Sequence, residues 1–344
     1  MAFPHIFRRV LHQKFLFLTI FFFTCLLSIV RFRPPDIDHY DIVIDYNINQ
    51  LLNITNFKYL LKTEQCQNYE YEKPLLGILI VTSLVKHNKL RMAHRNALPQ
   101  CKLAELGFQR IFLLGDTPPN EIPVSKSVLQ HEQHRFGDLL QGNFYDTYHN
   151  LTYKHVMGLR WASNECRRAK FIIKLDEDII YDVYYLQSYL KTLLEHELKL
   201  STSNRLLSGV IIVASQPIRY LGSKWLAPPE EFSSSIYPYY ISGYCYVTNA
   251  LTAKRLVGEA AETPFFWIDD AWVIGIIKKY RLEIPLQSRF VSTHYSIALN
   301  NCCEKYLTKY GYNCEYKIGI ADIYDTETVV QFQKALELCY YNNV

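Results

Sequence analysis

Between Pro74 and Leu200, short apolar runs rich in β-branched and aromatic residues alternate with segments of helical spacing, and no other feature restricts the fold as strongly. Leu75-Leu76-Gly77-Ile78-Leu79-Ile80-Val81 predicts a first buried strand, closed by Thr82-Ser83. Arg91–Glu105 has helical periodicity, with Ala93, Ala97 and Leu98 on one side and Arg91 and Arg95 one turn apart on another. A strand over Arg110–Asp116, a helix over Leu151–Glu165, a strand over Phe171–Leu175 and a helix over Tyr184–Leu200 continue the pattern. Strands and helices in alternation predict an α/β domain on a largely parallel, covered sheet. The second half is less regular. It predicts a strand over Leu206–Ala214, a tyrosine-rich loop at Tyr237–Tyr240, a turn at Ser242-Gly243, a helix over Val247–Ala261, and a last helix over Glu327–Leu338 capped by Asp325.

The strand Phe171–Leu175 runs into Asp176-Glu177-Asp178. Sheets of this class bind ligands at the carboxyl ends of their strands. In strand geometry Asp176 and Asp178 share a face and Glu177 takes the other. Two carboxylates on one face suit Mg²⁺ or Mn²⁺, hard ions held by one or two protein carboxylates together with substrate phosphates. The competing reading is a solvated turn that caps the next helix. A second acidic pair, Asp269-Asp270, stands among Phe265, Phe266, Trp267 and Trp272. Partly apolar surroundings raise a carboxylate's proton affinity and favour a general base. The same pair also suits a helix N-terminus, with Asp269 capping and Asp270 reaching into a site.

The ends of the chain point to a compartment. Phe15–Val30 is apolar except for Thr19, Thr24 and Ser28, and predicts a short membrane-spanning anchor. Arg8, Arg9 and Lys14 precede it, whereas Arg31 and Arg33 are soon followed by Asp36, Asp38, Asp41 and Asp45. That asymmetry places residues 1–14 in the cytosol and the remainder in a lumen. No small-residue cleavage pattern follows, which favours an anchor over a removed signal. Residues 31–73 predict a stem, with a short helix around Leu51–Leu61, and 74–344 a globular domain. Eight of the nine cysteines lie beyond the anchor, Cys25 within it, so full disulfide pairing is expected. Asn53 and Asn150 open N-glycosylation triplets. A net charge of +4 without a basic stripe argues against a nucleic-acid partner.

Several motifs carry a family resemblance. They are Arg91–Leu98, Phe112–Gly115, the long stretch Gly137–Lys154 with Gly158-Leu159-Arg160-Trp161 and Cys166 after it, Lys174–Asp178, Tyr237–Val247 and Asp269–Gly275. In this order they resemble glycosyltransferase family 31, the β-1,3-galactosyltransferases and β-1,3-N-acetylglucosaminyltransferases with their Fringe-related members, from roughly Pro74 to Gly275. The chain departs from the usual motifs at Glu177 and Asp269, where Asp and Glu are customary, and at Ala271, where Val is.

The resemblance implies a GT-A, Rossmann-like nucleotide-sugar-binding fold with a mostly parallel mixed sheet, in the lumen of the Golgi on a single-pass type II anchor. It implies an inverting, metal-dependent transfer of galactose or an N-acetylhexosamine from a UDP-sugar to a glycan, forming a β-1,3 link. Asp270 would be the base, and Asp176, Asp178 and His294 the ligands of Mn²⁺. Arg91, Arg95, Lys174 and Glu177 would address the donor, and Tyr239, Gly243 and Asp269 would stand in the donor and acceptor loops. The alternatives are a Golgi binding or chaperone-like protein that keeps the fold without catalysis, and a glycosidase using the same acids.

Overall fold

A computed structural model describes residues 49–66, 75–200, 205–282, 284–288, 292–293, 318–320 and 326–341. The expected anchor Phe15–Val30 and the expected cytosolic tail before it, with Cys25, His294, Cys302, Cys303, Cys314 and Asp325, lie outside the described residues. Among the described residues no helix is long and apolar enough to cross a membrane.

The elements run in chain order β1 (Tyr59–Leu61), β2 (Gly77–Thr82), α1 (Asn88–Ala97), α2 (Gln100–Glu105), β3 (Phe108–Asp116), α3 (Lys126–Phe136), β4 (Leu139–Tyr145), α4 (Leu151–Glu165), β5 (Phe171–Asp176), β6 (Ile179–Tyr181) and α5 (Val183–Leu200). There follow β7 (Leu207–Ile212), β8 (Tyr240–Thr248), α6 (Ala250–Ala261), α7 (Ala271–Leu282, wound in the wide π register), β9 (Gln287–Ser288), β10 (Ser292–Thr293), β11 (Ile318–Ile320) and α8 (Thr326–Tyr341). Eight strands form one mixed sheet in the order β1-β4-β3-β2-β5-β8-β7-β9. Its centre, β4-β3-β2-β5, is parallel, as the strand–helix alternation predicts, while β1 and β8 pair antiparallel with their neighbours. A small sheet, β10-β11-β6, stands apart.

Period-2 alternation sends each strand's side chains to opposite faces. Ile78 and Ile80 of β2 join Val156, Leu159, Leu256 and Trp272 from α4, α6 and α7 in one core layer. Leu79 and Val81 join Leu103, Leu186 and Leu190 from α2 and α5 in the other. Burying one such side chain fully contributes roughly 1.5–3 kcal/mol relative to exposing it, so strands apolar on both faces hold the centre. Caps fix where the helices begin. Asn249 accepts from the Thr252 amide at 2.9 Å to open α6. Asp182, rather than the acidic triplet before it, accepts from the Tyr185 amide at 2.8 Å at the start of α5.

Several expectations are corrected. The helix expected over Arg91–Glu105 breaks at Leu98, whose backbone (φ −132°, ψ 88°) leaves the helical region because Pro99 follows it. No helix covers Leu51–Leu61. Residues 49–66, expected in the stem, contribute β1 to the sheet edge, pairing Tyr59 with Gly142, and Phe57 packs under the Arg160 guanidinium at 4.7 Å. The turn expected at Ser242-Gly243 is interior to β8, and the helix expected from Val247 starts at Ala250. Strand pairing on both sides, Leu175 with Cys245 and Gly209 with Tyr246, overrides the local turn preference. Full cysteine pairing does not hold among the described residues: Cys66 bonds Cys166 across a separation of 100 residues, while Cys101 (exposed) and Cys245 (buried) are free thiols.

Candidate active site

The carboxyl end of β5, the antiparallel start of β8 and the amino end of α7 meet at one cleft of about 540 Å³. This is ample for a small ligand. Asp176, Asp178, Asp269 and Asp270 all line it, with Tyr148, Lys224, Trp225, Tyr237, Tyr240 and Trp267 around them.

In the first cluster, β5 continues through Asp176, and the turn beyond it keeps Asp178 on the same cleft while Glu177 faces away. Asp176 Oδ1 accepts from Lys174 Nζ at 2.5 Å, and that ammonium also donates to the Gly243 carbonyl. Burial opposes the Lys174 charge, but Asp176, Asp269 and Asp270 around it hold its pKa above the ordinary value. Burial and the Asp176 charge push the Asp178 carboxyl up to about 6. Burial, with the Asp269 charge, raises Asp176 as well. Two carboxylates raised in proton affinity by burial and by neighbouring acids form a donor set that a divalent cation would relieve, so these residues fit one. Among the described residues no group of three His, Cys, Asp or Glu side chains gathers to hold a metal, so such an ion would need further oxygens from substrate or water.

In the second cluster Asp270 is clasped by two backbone amides, Gly243 N–H to Oδ2 at 3.0 Å and Ala271 N–H to Oδ1 at 2.7 Å. Asp270 thus sits at the amino end of α7 and faces the cleft. Each Asp270 oxygen keeps a lone pair for another proton donor. Burial and the charge of Asp269 drive the Asp270 pKa upward, against those two amides. Burial would raise Asp269 as well, but its bond to His155 and the nearby Lys174 charge bring it down. Gly243 is required at this contact: an added Cβ would lie 2.9 Å from Asp270 Cβ.

Four residues expected to address a donor are turned elsewhere. Arg91, fully buried, spans both oxygens of Glu132 at 2.8 Å, and Arg95 bridges Glu132 at 2.8 Å and Asp138 at 2.7 and 2.9 Å. These arginines staple α1 to α3 and to the start of β4. Burial opposes the Glu132 charge, but its bonds to Arg91, Asn88 and Arg95 bring its carboxyl down to about 2. Glu177 accepts from Ser83 at 2.5 Å and from the Leu84 amide at 3.2 Å, and meets His87 Nδ1 at 2.6 Å. Lys174 lies beneath the cleft as an internal counter-charge. Of the tyrosine loop, Tyr237 and Tyr240 line the cleft, while Tyr239 points to solvent. Asn53 is exposed and accepts from Tyr153 Oη at 2.7 Å; Asn150 is half-buried, its amide donating to the Tyr145 carbonyl at 2.8 Å.

Sequence reasoning missed part of the wall. Lys224 sits 4.4 Å from the ring of Trp225 and 5.4 Å from that of Tyr148, in a stretch without periodicity, where only a lysine–tryptophan pair between Gly222 and Pro228 marked it. His155 lies one turn beyond Leu151, which lines the cleft, and this i, i+4 spacing was the available signal.

The sequence profile of the galactosyltransferase family matches residues 86–288, a span that contains both acid clusters. A mouse acetylgalactosaminyl-O-glycosyl-glycoprotein beta-1,3-N-acetylglucosaminyltransferase is 34% identical over 167 residues, 48% of this chain and 41% of its own. Human beta-1,3-galactosyltransferase 2 is 28% identical over 253 residues, 73% of this chain and 58% of its own. Human beta-1,3-galactosyltransferase 5 is 32% identical over 217 residues, 63% of this chain and 66% of its own. The match thus spans from 41% to 66% of the length of these relatives. By the family profile, which takes in more than half of its length, the chain belongs to the galactosyltransferase family.

Proposed function

We propose that this chain is an inverting hexosyltransferase of GT-A fold that moves galactose or an N-acetylhexosamine from a UDP-sugar to a glycan hydroxyl, forming a β-1,3 link. One observation carries the reading: in a member of the galactosyltransferase family, the paired acids Asp176 and Asp178 and the amide-clasped Asp270 open on a single cleft. Asp178, with Asp176, would hold a divalent cation of the Mn²⁺ class. Bound there, the ion would neutralise charge on a departing nucleoside diphosphate. Asp178 is the firmer ligand, because Asp176 already shares an oxygen with Lys174.

Asp270 takes the proton of the attacking hydroxyl. Its raised proton affinity suits this work, and the two backbone amides keep the carboxylate aimed while its remaining lone pairs receive the proton. The aromatic rim of Trp225, Tyr148 and Trp267 offers apolar faces against which sugar rings stack and from which water is excluded. The catalytic domain would stand in the Golgi lumen on a stem and a type II signal-anchor over 15–30, with glycans on Asn53 and Asn150. Relatives named for β-1,3 transfer of galactose and of N-acetylglucosamine support the linkage and leave both donors in play.

The test is product analysis with UDP-galactose, UDP-N-acetylglucosamine and UDP-N-acetylgalactosamine over a panel of glycan acceptors. Asp270→Asn should keep metal-dependent UDP binding and lose about 10²–10⁴-fold in turnover, the usual contribution of a general base. Asp178→Ala should abolish the metal-dependent binding. An Asp270→Asn enzyme with undiminished turnover would remove Asp270 from the role.

A further inference from the structure

Two adjacent carboxylates at one site do not ionise independently, and which of them keeps the negative charge depends on the partners each is given. Asp270 has two backbone amides. Asp269 has something different. His155 on α4, whose side chain is 1% exposed, brings Nδ1 to 2.8 Å from Asp269 Oδ2 and Nε2 to 2.6 Å from the Tyr246 hydroxyl on β8. An ionised carboxylate can only accept, so Nδ1 carries a hydrogen and donates to Asp269. In the neutral ring Nε2 is then the acceptor, and the Tyr246 hydroxyl donates to it. Burial and the Asp269 charge keep that phenol protonated and hence a donor.

The chain of bonds ties three elements together: β8 through Tyr246, α4 through His155, and the segment before α7 through Asp269. His155 does not line the cleft. It fixes Asp269, as the third member of a triad fixes the second. We propose that His155 is a positioning residue for the transfer: the Tyr246–His155–Asp269 chain pins the Asp269 carboxylate as the fixed anion behind Asp270 and leaves Asp270 to receive the acceptor's proton. This rests on the transferase reading above.

Conservative replacements separate the two ends of the ring. An Asn amide nitrogen is bonded to Cγ, as Nδ1 is, and so preserves the donor to Asp269. A Gln amide group stands one bond further out, as Nε2 does, and preserves only the contact to Tyr246. His155→Gln should lower kcat about 10- to 100-fold, the worth of one hydrogen bond to a charged group, with KM for donor and acceptor within about twofold. His155→Asn should lose no more than about threefold in kcat, and the two variants should melt at similar temperatures. A kcat for His155→Gln equal to that of the wild type overturns the proposal. So does an equal loss in both variants with a matching fall in melting temperature, the pattern of a merely structural residue. In the resting ¹⁵N-histidine-labelled protein, the bonded Nδ1–H should give a low-field proton resonance that disappears in both His155→Gln and Asp269→Asn. Its absence from the wild type overturns the hydrogen-bond chain whatever the activity. A wild type that shows the resonance yet transfers from no UDP-sugar instead overturns the transferase reading, and with it the catalytic half of the proposal.

Discussion

Gly243→Ala probes the seat of Asp270, the proposed base, without touching a titrating group. Gly243 does not have a positive φ, so alanine meets no backbone penalty there and the only cost is contact. The added Cβ would lie 2.9 Å from Asp270 Cβ and 3.4 Å from its Cγ and Oδ2. Carbon atoms rest at about 3.5–4.0 Å, so roughly 0.6–1.1 Å of space must be opened. The strand cannot give it easily: Cys245 pairs with Leu175, Ile241 with Ile211, and the Gly243 carbonyl holds Lys174. Asp270 moves instead, and with it the hydrogen bond from Gly243 N–H. A displacement of about 1 Å at a reacting group costs on the order of 10²-fold in rate. Overpacking of this kind costs about 1–3 kcal/mol in stability, or roughly 2–12 °C in melting temperature for a domain of this size. Steady-state transfer assays at saturating donor and acceptor should therefore show kcat reduced on the order of 10²-fold, while calorimetric UDP affinity stays within about twofold, because Asp176 and Asp178 belong to β5 and its following turn. A folded Gly243→Ala enzyme with kcat within about twofold of wild type would refute the reasoning, since it would mean that the base tolerates the shift or is not the base.

Glu132→Ala leaves Arg91 and Arg95 buried without their shared carboxylate and should cost about 3–5 kcal/mol in chemical denaturation, with Glu132→Gln milder because it preserves shape and accepts one bond. As the Glu132 pKa is depressed, its stabilisation is present above the ordinary carboxylate range and is lost as pH falls toward about 2; urea midpoints measured against pH in wild type and Glu132→Gln check this. If Asp270 is the base, its upward shift sets the acid limb of transfer: activity should fall with decreasing pH above the ordinary carboxylate value of about 4, as Asp270 takes a proton before the acceptor can supply one. Asp269→Asn removes the charge that lifts Asp270 and should move that limb of the kcat/KM profile downward, and a limb that stays in place would contradict the coupling.

What was legible in the sequence followed from local rules. Leu151–Glu165 reads as a helix and is one, and the run Phe171–Leu175 reads as a buried strand because apolar side chains on both faces leave few other solutions. The shared face of Asp176 and Asp178 followed from the pleat, and the turn after β5 preserves it. What was not legible depended on partners far along the chain. Leu139–Tyr145 carries Gln141, Gly142 and Asn143, which weaken a strand signal, yet Gln141 is buried and donates to the Gly115 carbonyl at 2.9 Å. Arg91 and Arg95 looked like a phosphate clamp because two arginines one turn apart present a charged face. Glu132 and Asp138, in α3 and just before β4, claim that face, and nothing near the arginines in sequence announces it. His155 was overlooked for the converse reason: its partners, Tyr246 and Asp269, lie 91 and 114 residues away.

Lys174 joins the two sides of the cleft into one unit. Read from sequence, a lysine before an acidic motif looks like a contact to an anionic donor. In the fold its ammonium is buried and divided between Asp176 Oδ1 and the carbonyl of Gly243, the residue whose amide clasps Asp270 Oδ2. The two acid clusters, separated by some ninety residues of chain, are therefore joined through one cation and one peptide unit. An unpaired ammonium at that depth would be costly, so the carboxylates that make the cleft acidic also hold Lys174 charged. The dependence runs both ways. Lys174 offsets the repulsion among Asp176, Asp269 and Asp270, which lets several carboxylates crowd one cleft, and burial still leaves Asp176, Asp178 and Asp270 with raised proton affinity. An acid free to bind a cation and an acid free to take a proton are the two groups that the proposed metal-assisted transfer requires, and the side-chain bonds of Asp176 to Lys174 and of Asp269 to His155 set Asp178 and Asp270 apart from the rest.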